Sequence, residues 1–472
     1  MSSKGEVMAK AYLMVFSGTC MLRGNSRLRQ EIGPQGVRFL EHAAGAVNRI
    51  LPHVEVSAWT ERAEWLDPDA VWTSNQRTGL RMTVSIGARD QGRSLTAVVQ
   101  RRGVPTQQNA DRRVLDLREQ DICRRIARQL SNVLGFGSGA ANGASLRAIS
   151  ALFDEHVVTE HIREHHLLTL ELSEVFGALH TLAEQTYENK ALTFGCIIEP
   201  TSGYSSAIVF PKDFFTAKKY RALSDGYRTA YHLASSGQVL NFVDLDDFDS
   251  RSLTRRHFYP QWAESMARAS RDHKCGIALS RQGDLLVFDE GTLRFTYRNG
   301  LWQYWNHAHL VTLLRDRARA QHVPPAFLGR LVGNIYRAAL DISFRRTGGL
   351  FVVLRNQHNL RKIVRLGDAI GDPGRAPVDL AFDSALHGPG GIFPRSVIVE
   401  LASLDGAIVL DNSATVLAYG AVLRPRRTGR LHGSEGSRTK AAIGASHYGL
   451  SVKVSSDGDI TVYHNGKQFI SV

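Results

Sequence analysis

Short apolar runs alternate with helical stretches through the last third of the chain, and this alternation limits the fold more than any other feature. Each run is followed within three residues by Asn, Asp, Pro or Gly, as strands commonly are. Helical patterns at 309–340, broken near Pro324-Pro325, and at 396–404 separate them. Strands and helices that alternate inside one unit predict an α/β domain with a mostly central sheet. The predicted strands cover residues 350–354, 407–410, 415–423, 448–454 and 460–463.

At 472 residues the chain is too long for one ordinary domain, and its pattern also changes upstream of this region. Residues 1–135 combine strand-like alternation at 80–86 and 94–100 with a basic amphipathic helix at 116–134. This combination predicts an α+β module. Residues 136–190 open with a Gly/Ala/Ser/Asn-rich link and continue as a helical segment rich in His and Glu.

Residues 191–310 predict a further α/β domain, with strands near 193–198 and 276–297 and a helical stretch at 218–235. The three aromatic residues within 302–305 either line a ligand pocket or seal a core, and sealing a core is the commoner role. This domain and the α/β domain predicted at 325–472 together predict a multidomain α/β fold.

A zinc-protease signature occurs once, in the helical segment. His161-Ile-Arg-Glu164-His165 matches HxxEH, and on a helix the two histidines share one face, as metal ligands must. Glu and His are abundant here, however, and no distant third ligand can be named. A polar helix is therefore favoured over a metalloprotease.

Bulk properties exclude some classes of protein and leave others open. The four cysteines are scattered without CxxC spacing, which argues against a structural zinc site and a disulfide framework. No uncharged apolar run reaches the ~18 residues that a membrane helix needs, so we expect a cytoplasmic protein with no membrane partner. The formal charge of +13 permits a polyanionic partner such as a nucleotide, a nucleic acid or an acidic lipid.

Two stretches near the C-terminus carry the residue types of a nucleotide site. Residues 404–411 predict a buried strand that is led in by Asp405 and Gly406. Residues 436–442 form a small-residue turn with two cations, followed by an alanine-rich run suited to the start of a helix. An acid beside a cationic turn is suited to a nucleotide and its metal.

These stretches belong to a series of four motifs that resembles a known family. The motifs are Thr347-Gly348-Gly349-Leu350, Leu404 to Val409, Gly436 to Ala442, and Val454 to Gly458 with Asn465-Gly466-Lys467. In this order they resemble the diadenylate cyclase (DAC) domain family, over residues 325–472. Residues 191–310 resemble, more vaguely, the sensor domains attached to some DAC proteins.

The resemblance implies an enzyme that condenses two ATP molecules into cyclic di-AMP and releases two pyrophosphates. It implies Mg²⁺ or Mn²⁺ as cofactor, with one ATP and one divalent metal in each domain. Two domains face each other, so the resemblance also implies a face-to-face homo-oligomer. Ser455 matches a serine of the family that contacts phosphate, and Asp457 stands where some members carry a metal-associated acid beside Asp405.

The residue types fit this chemistry. Asp405 can reach the metal or the attacking 3′-hydroxyl, and Gly406 and Ala407 leave room for a ribose and base. The remaining predicted residues lie in the turn. Gly436 and Ser437 offer a backbone N–H and a hydroxyl to phosphate at a helix start, and Thr439 is placed in the same nucleotide site. Arg438 and Lys440 neutralise charge on the phosphates.

The turn departs from the family's usual Gly-Thr-Arg-His-Arg, because this chain has Ser437, Thr439 and Lys440 in place of Thr, His and the second Arg. Lys440 keeps a charge but loses the planar fork of arginine, and Thr439 removes an imidazole. The first alternative is therefore a catalytically degenerate nucleotide-binding sensor. The second is a basic nucleic-acid-binding protein led by N-terminal arginine pairs such as Arg124-Arg125, although no aromatic stacking platform interleaves them.

Overall fold

The structure of the chain is a computed structural model, and it resolves two compact units that are described separately. The N-terminal unit comprises Met1–Ser252 and Ser265–Trp305, and the C-terminal unit comprises Leu253–Glu264 and Asn306–Val472. The four predicted segments are finer than this division, and their boundaries stay predictions. The residues that the structure describes are 11–16, 19–23, 45–52, 54–62, 72–75, 79–86, 93–101, 116–134, 145–187, 189–201, 208–213, 223–249, 251–372, 394–424 and 436–472.

The N-terminal unit begins with a six-stranded sheet in the order β2-β1-β3-β6-β5-β4. Its strands are β1 (Ala11–Phe16), β2 (Thr19–Arg23), β3 (Val54–Arg62), β4 (Trp72–Asn75), β5 (Gly79–Ile86) and β6 (Arg93–Arg101). A helix covers 45–50, and three more follow the sheet: α1 (Leu117–Leu134), α2 (Ser145–His165) and α3 (Leu172–Ala183). The strands predicted at 80–86 and 94–100 are β5 and β6, whereas the link predicted at 135–144 lies outside the described residues.

A second sheet of the N-terminal unit has seven strands in the order β11-β10-β9-β12-β13-β14-β15. Its strands are β9 (Phe194–Glu199), β10 (Thr229–Ala234), β11 (Val239–Asp244), β12 (Cys275–Leu279), β13 (Leu285–Asp289), β14 (Thr292–Arg298) and β15 (Leu301–Tyr304). The short strands β7 (Thr186–Tyr187) and β8 (Lys190–Ala191) pair with each other, and the short helices are α4 (Leu245–Phe248) and α5 (Glu264–Ala269).

The prediction of a helical stretch at 218–235 is wrong at its C-terminal end. Thr229–Ala234 is β10, which pairs in parallel with β9 and antiparallel with β11. Gly226 has a φ of +70°, in the left-handed region, and the chain turns there before it enters the strand. The three aromatic residues within 302–305, for which the sequence allows either a ligand pocket or a core, seal a core. Trp302, Tyr304 and Trp305 are each at most 3% exposed.

The C-terminal unit contains a mixed six-stranded sheet in the order β18-β17-β16-β19-β20-β21. Its strands are β16 (Gly349–Leu354), β17 (Ala407–Leu410), β18 (Val416–Ala421), β19 (Gly449–Val454), β20 (Ile460–His464) and β21 (Lys467–Ser471). Its helices are α6 (His307–Arg319), α7 (Pro325–Arg345), α8 (Leu360–Ile363), α9 (Arg395–Ser403) and α10 (Ser437–Ser446). The predicted break near Pro324-Pro325 is confirmed, because α7 begins at Pro325.

Helices cover both faces of this sheet, which explains why β16 is apolar at every position. Leu350, Val352 and Leu354 belong to one buried cluster with residues of α8 and α10. Phe351, which points to the opposite face, lines a small cavity with residues of α7 and α9. A strand buried on both faces has no polar side and reads as a continuous apolar run. The predicted α/β fold with a central mixed sheet is confirmed. None of the helices in the described ranges combines the length and the apolar character needed to cross a membrane.

A matched pair of leucines tests the importance of β16. Leu354 is fully buried, whereas Leu366 of the same unit is 70% exposed. We expect Leu354→Ala to lower the free energy of unfolding by ~2–5 kcal/mol, because it leaves a cavity in the core. Leu366→Ala should change it by less than ~0.5 kcal/mol. Denaturant unfolding of both variants measures the difference, and equal effects would contradict the placement of β16.

Candidate functional site

Three of the four motifs and the Val454 to Gly458 part of the fourth meet at one end of the C-terminal sheet, whereas Asn465-Gly466-Lys467 lies at the opposite end, because His464 pairs with Leu450 near the start of β19. Gly349 at the start of β16 pairs with Val454 at the end of β19. Phe351 of β16 pairs in parallel with Ile408, so β16 and β17 start at the same end. Helix α10 begins there too, because Arg438 of its first turn lies against Gly348. We call this region the sheet-end site; it comprises Thr347, Gly348, Asp405, Gly406, Ala407, Gly436, Ser437, Arg438, Thr439, Lys440, Lys453, Ser455 and Asp457.

Asp405 lies in the short connection between α9 and β17, and its side chain is exposed. Within the described part of the chain it forms no ion pair and no side-chain hydrogen bond. Gly406 follows with a φ of +126°, which L side chains rarely adopt. A Cβ built on Gly406 would lie 2.3 Å from the carbonyl carbon of Gly420 in β18. Gly406 is thus required by the close approach of two backbones, and Ala407 beside it is buried at the start of β17.

Arg438 joins two motifs that are 90 positions apart in the sequence. It lies in the first turn of α10, after Gly436, and no side chain caps the start of this helix. A Cβ built on Gly348 would lie 2.2 Å from Nη1 of Arg438, so the guanidinium covers the bare Cα of this glycine. Gly348 also has a φ of +72°. The Thr-Gly-Gly turn therefore provides the surface on which Arg438 rests.

The first turn of α10 is exposed to different degrees. Ser437 is exposed, whereas Arg438, Thr439 and Lys440 are half-buried. The N–H groups of a first helical turn have no partner within the helix, and a positive partial charge collects there. This end of α10 is therefore suited to an anion such as a phosphate.

Lys453 is a residue of this site that the sequence predictions missed. Its Nζ donates a hydrogen bond of 3.0 Å to Oγ1 of Thr439. Thr439, which stands where the family has histidine, thus holds a lysine of β19 beside the cationic turn. The available signal was a lone charged residue inside the apolar run 449–454, at a position that the strand's period of two places toward α10.

The first part of the last motif, Val454 to Gly458, forms the turn between β19 and β20. Oγ of Ser455 accepts a hydrogen bond of 3.0 Å from the backbone N–H of Asp459, and its carbonyl accepts one of 3.1 Å from Gly458. The hydroxyl of Ser455 therefore stabilises this turn and still has a proton to donate. Asp457 is exposed in the turn. Its role as a metal ligand stays a prediction.

Asp405 fits a divalent metal. Mg²⁺ is commonly bound by one or two carboxylates and completes its shell with phosphate oxygens and water. An exposed carboxylate beside an uncapped helix start meets this requirement. Asp405 precedes β17 and Asp457 follows β19, and β16 lies between these two strands in the sheet. Asp405 is thus a carboxylate that fits a metal at a bound triphosphate, and its role as a metal ligand stays a prediction.

The HxxEH motif of α2 takes part in ion pairs and hydrogen bonds with α1. Nδ1 of His161 lies 2.6 Å from Oδ2 of Asp121, and Nη2 of Arg125 donates to Oε2 of Glu164 at 2.6 Å. Nε2 of His165 lies 2.8 Å from Nη2 of Arg118. The three motif residues therefore have separate partners, as expected for a polar helix. Arg125, from one of the arginine pairs considered for nucleic acid, is engaged here with acids.

One cluster of potential metal ligands lies near this motif. Side-chain ligand atoms of His165, His166 and Asp289 all lie within 4.8 Å of one another. Burial, followed by the Arg118 cation, lowers the pKa of His165 to about 4. Burial would raise the pKa of Asp289, but Arg118, His166 and Arg294 outweigh it and lower that pKa. Because Arg118 and Arg294 both form ion pairs with Asp289, its charge is already compensated without a metal.

Comparison with known proteins adds little to this description. No protein-family model and no curated protein match the chain. A double mutant of DacA from Staphylococcus aureus is similar over 30% of this chain and 87% of its own, with 22% identity and a TM-score of 0.23. A hypothetical membrane spanning protein from Bacillus cereus is similar over 35% of this chain and 76% of its own, with 19% identity and a TM-score of 0.24. TM-scores this low carry no argument about function.

Two glycines of the site provide a matched test of its backbone. Gly406→Ala should lower the free energy of unfolding by more than ~2 kcal/mol, because the new Cβ would clash with Gly420 and φ is unfavourable. Gly436→Ala should have little effect, since a Cβ there meets open space. Thermal unfolding of both variants measures this, and an unchanged melting temperature for Gly406→Ala would contradict the described approach.

Proposed function

We propose that the C-terminal unit binds ATP with Mg²⁺ or Mn²⁺ at the sheet-end site and condenses two ATP molecules into cyclic di-AMP. One observation supports this most: motifs spread from Thr347 to Asp457 come together at one end of one sheet. They bring together two exposed acids, Asp405 and Asp457, an uncapped helix start and three cations, Arg438, Lys440 and Lys453. This is a suitable set of groups for a triphosphate and its metal.

In the proposed reaction the 3′-oxygen of one ATP attacks the α-phosphorus of the other. A new O–P bond forms, the bond between the α-phosphorus and the bridging oxygen breaks, and pyrophosphate leaves. The 3′-hydroxyl proton passes to Asp405 or to water, and repetition with the roles exchanged closes the ring. A bound divalent metal would neutralise phosphate charge and favour the attacking alkoxide. Arg438 and Lys440 would stabilise charge on the transferring phosphate.

The proposed reaction needs two copies of the site. One sheet-end site holds one nucleotide, and each nucleotide must present its 3′-hydroxyl to the other. A face-to-face homo-oligomer of this chain provides that arrangement, with the two sheet-end sites opposed. A cytoplasmic location, where ATP is abundant, remains the expectation.

A nucleotide sensor without turnover is the second candidate, and the turn after Gly436 favours it. Lys440 offers a point charge where a planar fork could hold phosphate with two hydrogen bonds. Thr439 is bonded to Lys453 and supplies no imidazole. Such a protein would bind ATP at the same residues and leave it intact.

Incubation with ATP and Mn²⁺, followed by mass spectrometry, tests the cyclase proposal. We expect cyclic di-AMP from the wild type and none from Asp405→Asn, because the amide neither binds the metal well nor accepts the proton. Asp316→Asn, which removes a carboxylate from α6 of the same unit, serves as the matched control and should keep full activity. If the wild type binds ATP but forms no cyclic di-AMP, the cyclase proposal is wrong and the nucleotide sensor remains.

Restoring the family's turn separates slow turnover from none. The double variant Thr439→His/Lys440→Arg should raise the rate of cyclic di-AMP formation by roughly two to four decades, if each lost group weakened the transition state by ~1.5–3 kcal/mol. ATP affinity should change far less. A rate equal to that of the wild type would show that these two residues do not limit the reaction.

A further inference from the structure

A second cavity of the C-terminal unit has four arginines in its lining, and the proposed function does not use it. It has a volume of about 400 Å³ and lies between the segment 253–264, the N-terminal half of α7 and the first residue of α9. We call it the arginine-lined cavity. Its charged and polar lining residues are Thr254, Arg255, Tyr259, Gln261, Glu264, Arg330, Asn334, Arg337 and Arg395.

The positive charge of this cavity is not compensated by the fold. In the described ranges, no carboxylate forms an ion pair with Arg255, Arg330 or Arg337. Arg395 is neutralised by an ion pair with an acid outside the lining. That partner is Asp341, whose Oδ1 accepts from Nη2 of Arg395 at 2.6 Å. The other three arginines face one acid of the lining, Glu264, which leaves an excess of two positive charges. Guanidinium groups held together without acids repel one another, and a bound anion would relieve that repulsion.

Two of the four cations, Arg337 and Arg395, are held in place before any ligand arrives, whereas Arg255 and Arg330 are exposed. Arg337 donates to the backbone carbonyl of Arg255, and its guanidinium lies 4.8 Å from the ring centroid of Phe258. Burial and the neighbouring Arg395 both lower the pKa of Arg337. Arg395 also donates to the carbonyl of Tyr259 at 2.6 Å. A site whose cations are already positioned loses little side-chain entropy when it binds an anion.

Size and chemistry indicate the class of ligand. A cavity of about 400 Å³ accommodates a small molecule rather than a macromolecule. The planar fork of arginine matches phosphate oxygens with paired hydrogen bonds. The excess of two positive charges suits an anion that carries at least two negative charges. We propose that the arginine-lined cavity binds a small phosphate-bearing anion, such as a diphosphate.

This cavity is distinct from the sheet-end site. Helix α9 runs from Arg395 in the cavity to Ser403 beside Asp405, a rise of about 12 Å over eight residues. Helix α7 likewise runs from Arg337 to Arg345, close to Thr347, over a similar distance. The two sites therefore lie about 12 Å apart along the same two helices, and a single diphosphate does not span both.

Isothermal titration of the full chain with pyrophosphate, without divalent metal, tests the proposal. We expect binding that weakens at least about tenfold in Arg330→Gln and in Arg337→Gln, because each removes a charged contact. Arg330 is exposed, so its variant keeps the test valid if Arg337→Gln does not fold. Two matched controls, Arg365→Gln at an exposed position and Arg438→Gln in the sheet-end site, should bind pyrophosphate at the arginine-lined cavity as the wild type does.

Several results would overturn the proposal. They are no binding by the wild type at millimolar pyrophosphate, an equal loss in Arg365→Gln, or a loss in Arg438→Gln alone, which would place the ligand in the sheet-end site. A parallel titration with adenosine 5′-diphosphate distinguishes a free diphosphate from a nucleotide. Binding of either that depends on Arg330 and Arg337 supports the proposal. None of these outcomes depends on whether cyclic di-AMP is formed.

Discussion

The pairing of β16 with β17 on one side and β19 on the other is the constraint on which the C-terminal unit depends. β16 pairs in parallel with β17 and antiparallel with β19. The starts of β16 and β17 therefore lie at the same end of the sheet as the end of β19. Burial fixes this register, because a shift by one residue would turn every side chain of β16 to the opposite face. The sheet-end site is thus a consequence of strand pairing in the core.

Glycines at this sheet end act on both structure and proposed function. Gly406 permits β18 to approach, and Gly348 permits the guanidinium of Arg438 to lie against the backbone. A side chain would clash with the backbone of Gly420 at position 406 and would be strained by the positive φ at position 348, whether or not a nucleotide binds. The conclusion that Gly406 leaves room for a ribose is therefore not needed to explain this glycine, although it is compatible with it. The side chain of Asp405, by contrast, forms no ion pair or hydrogen bond among the described residues, and its proposed role in the reaction is what would account for it.

Cations are used differently in different parts of the molecule. On α1, Arg125 is engaged with acids of its own helix and of α2. In the C-terminal unit, Arg438 and Lys440 at one end of α7 and α9, and Arg330 and Arg337 at the other, have no acid partner among the described residues. Part of the formal charge of +13 is therefore left without an acid partner at two places that are suited to phosphate.

The sequence by itself predicted five of the six strands of the C-terminal sheet, because apolar runs and turn formers are local signals, but it did not predict β21 or the short helix α8. It also identified Asp405 and the turn at Gly436 as candidates, since their residue types suit a nucleotide and its metal. The helix predicted at 229–234 was wrong, because these residues form a strand that pairs with β9 and β11. Only the tertiary structure placed Gly348 under Arg438, bonded Lys453 to Thr439, and brought the segment 253–264 against α7. These contacts join residues far apart in the chain, and no local pattern records which distant residue will lie beside another.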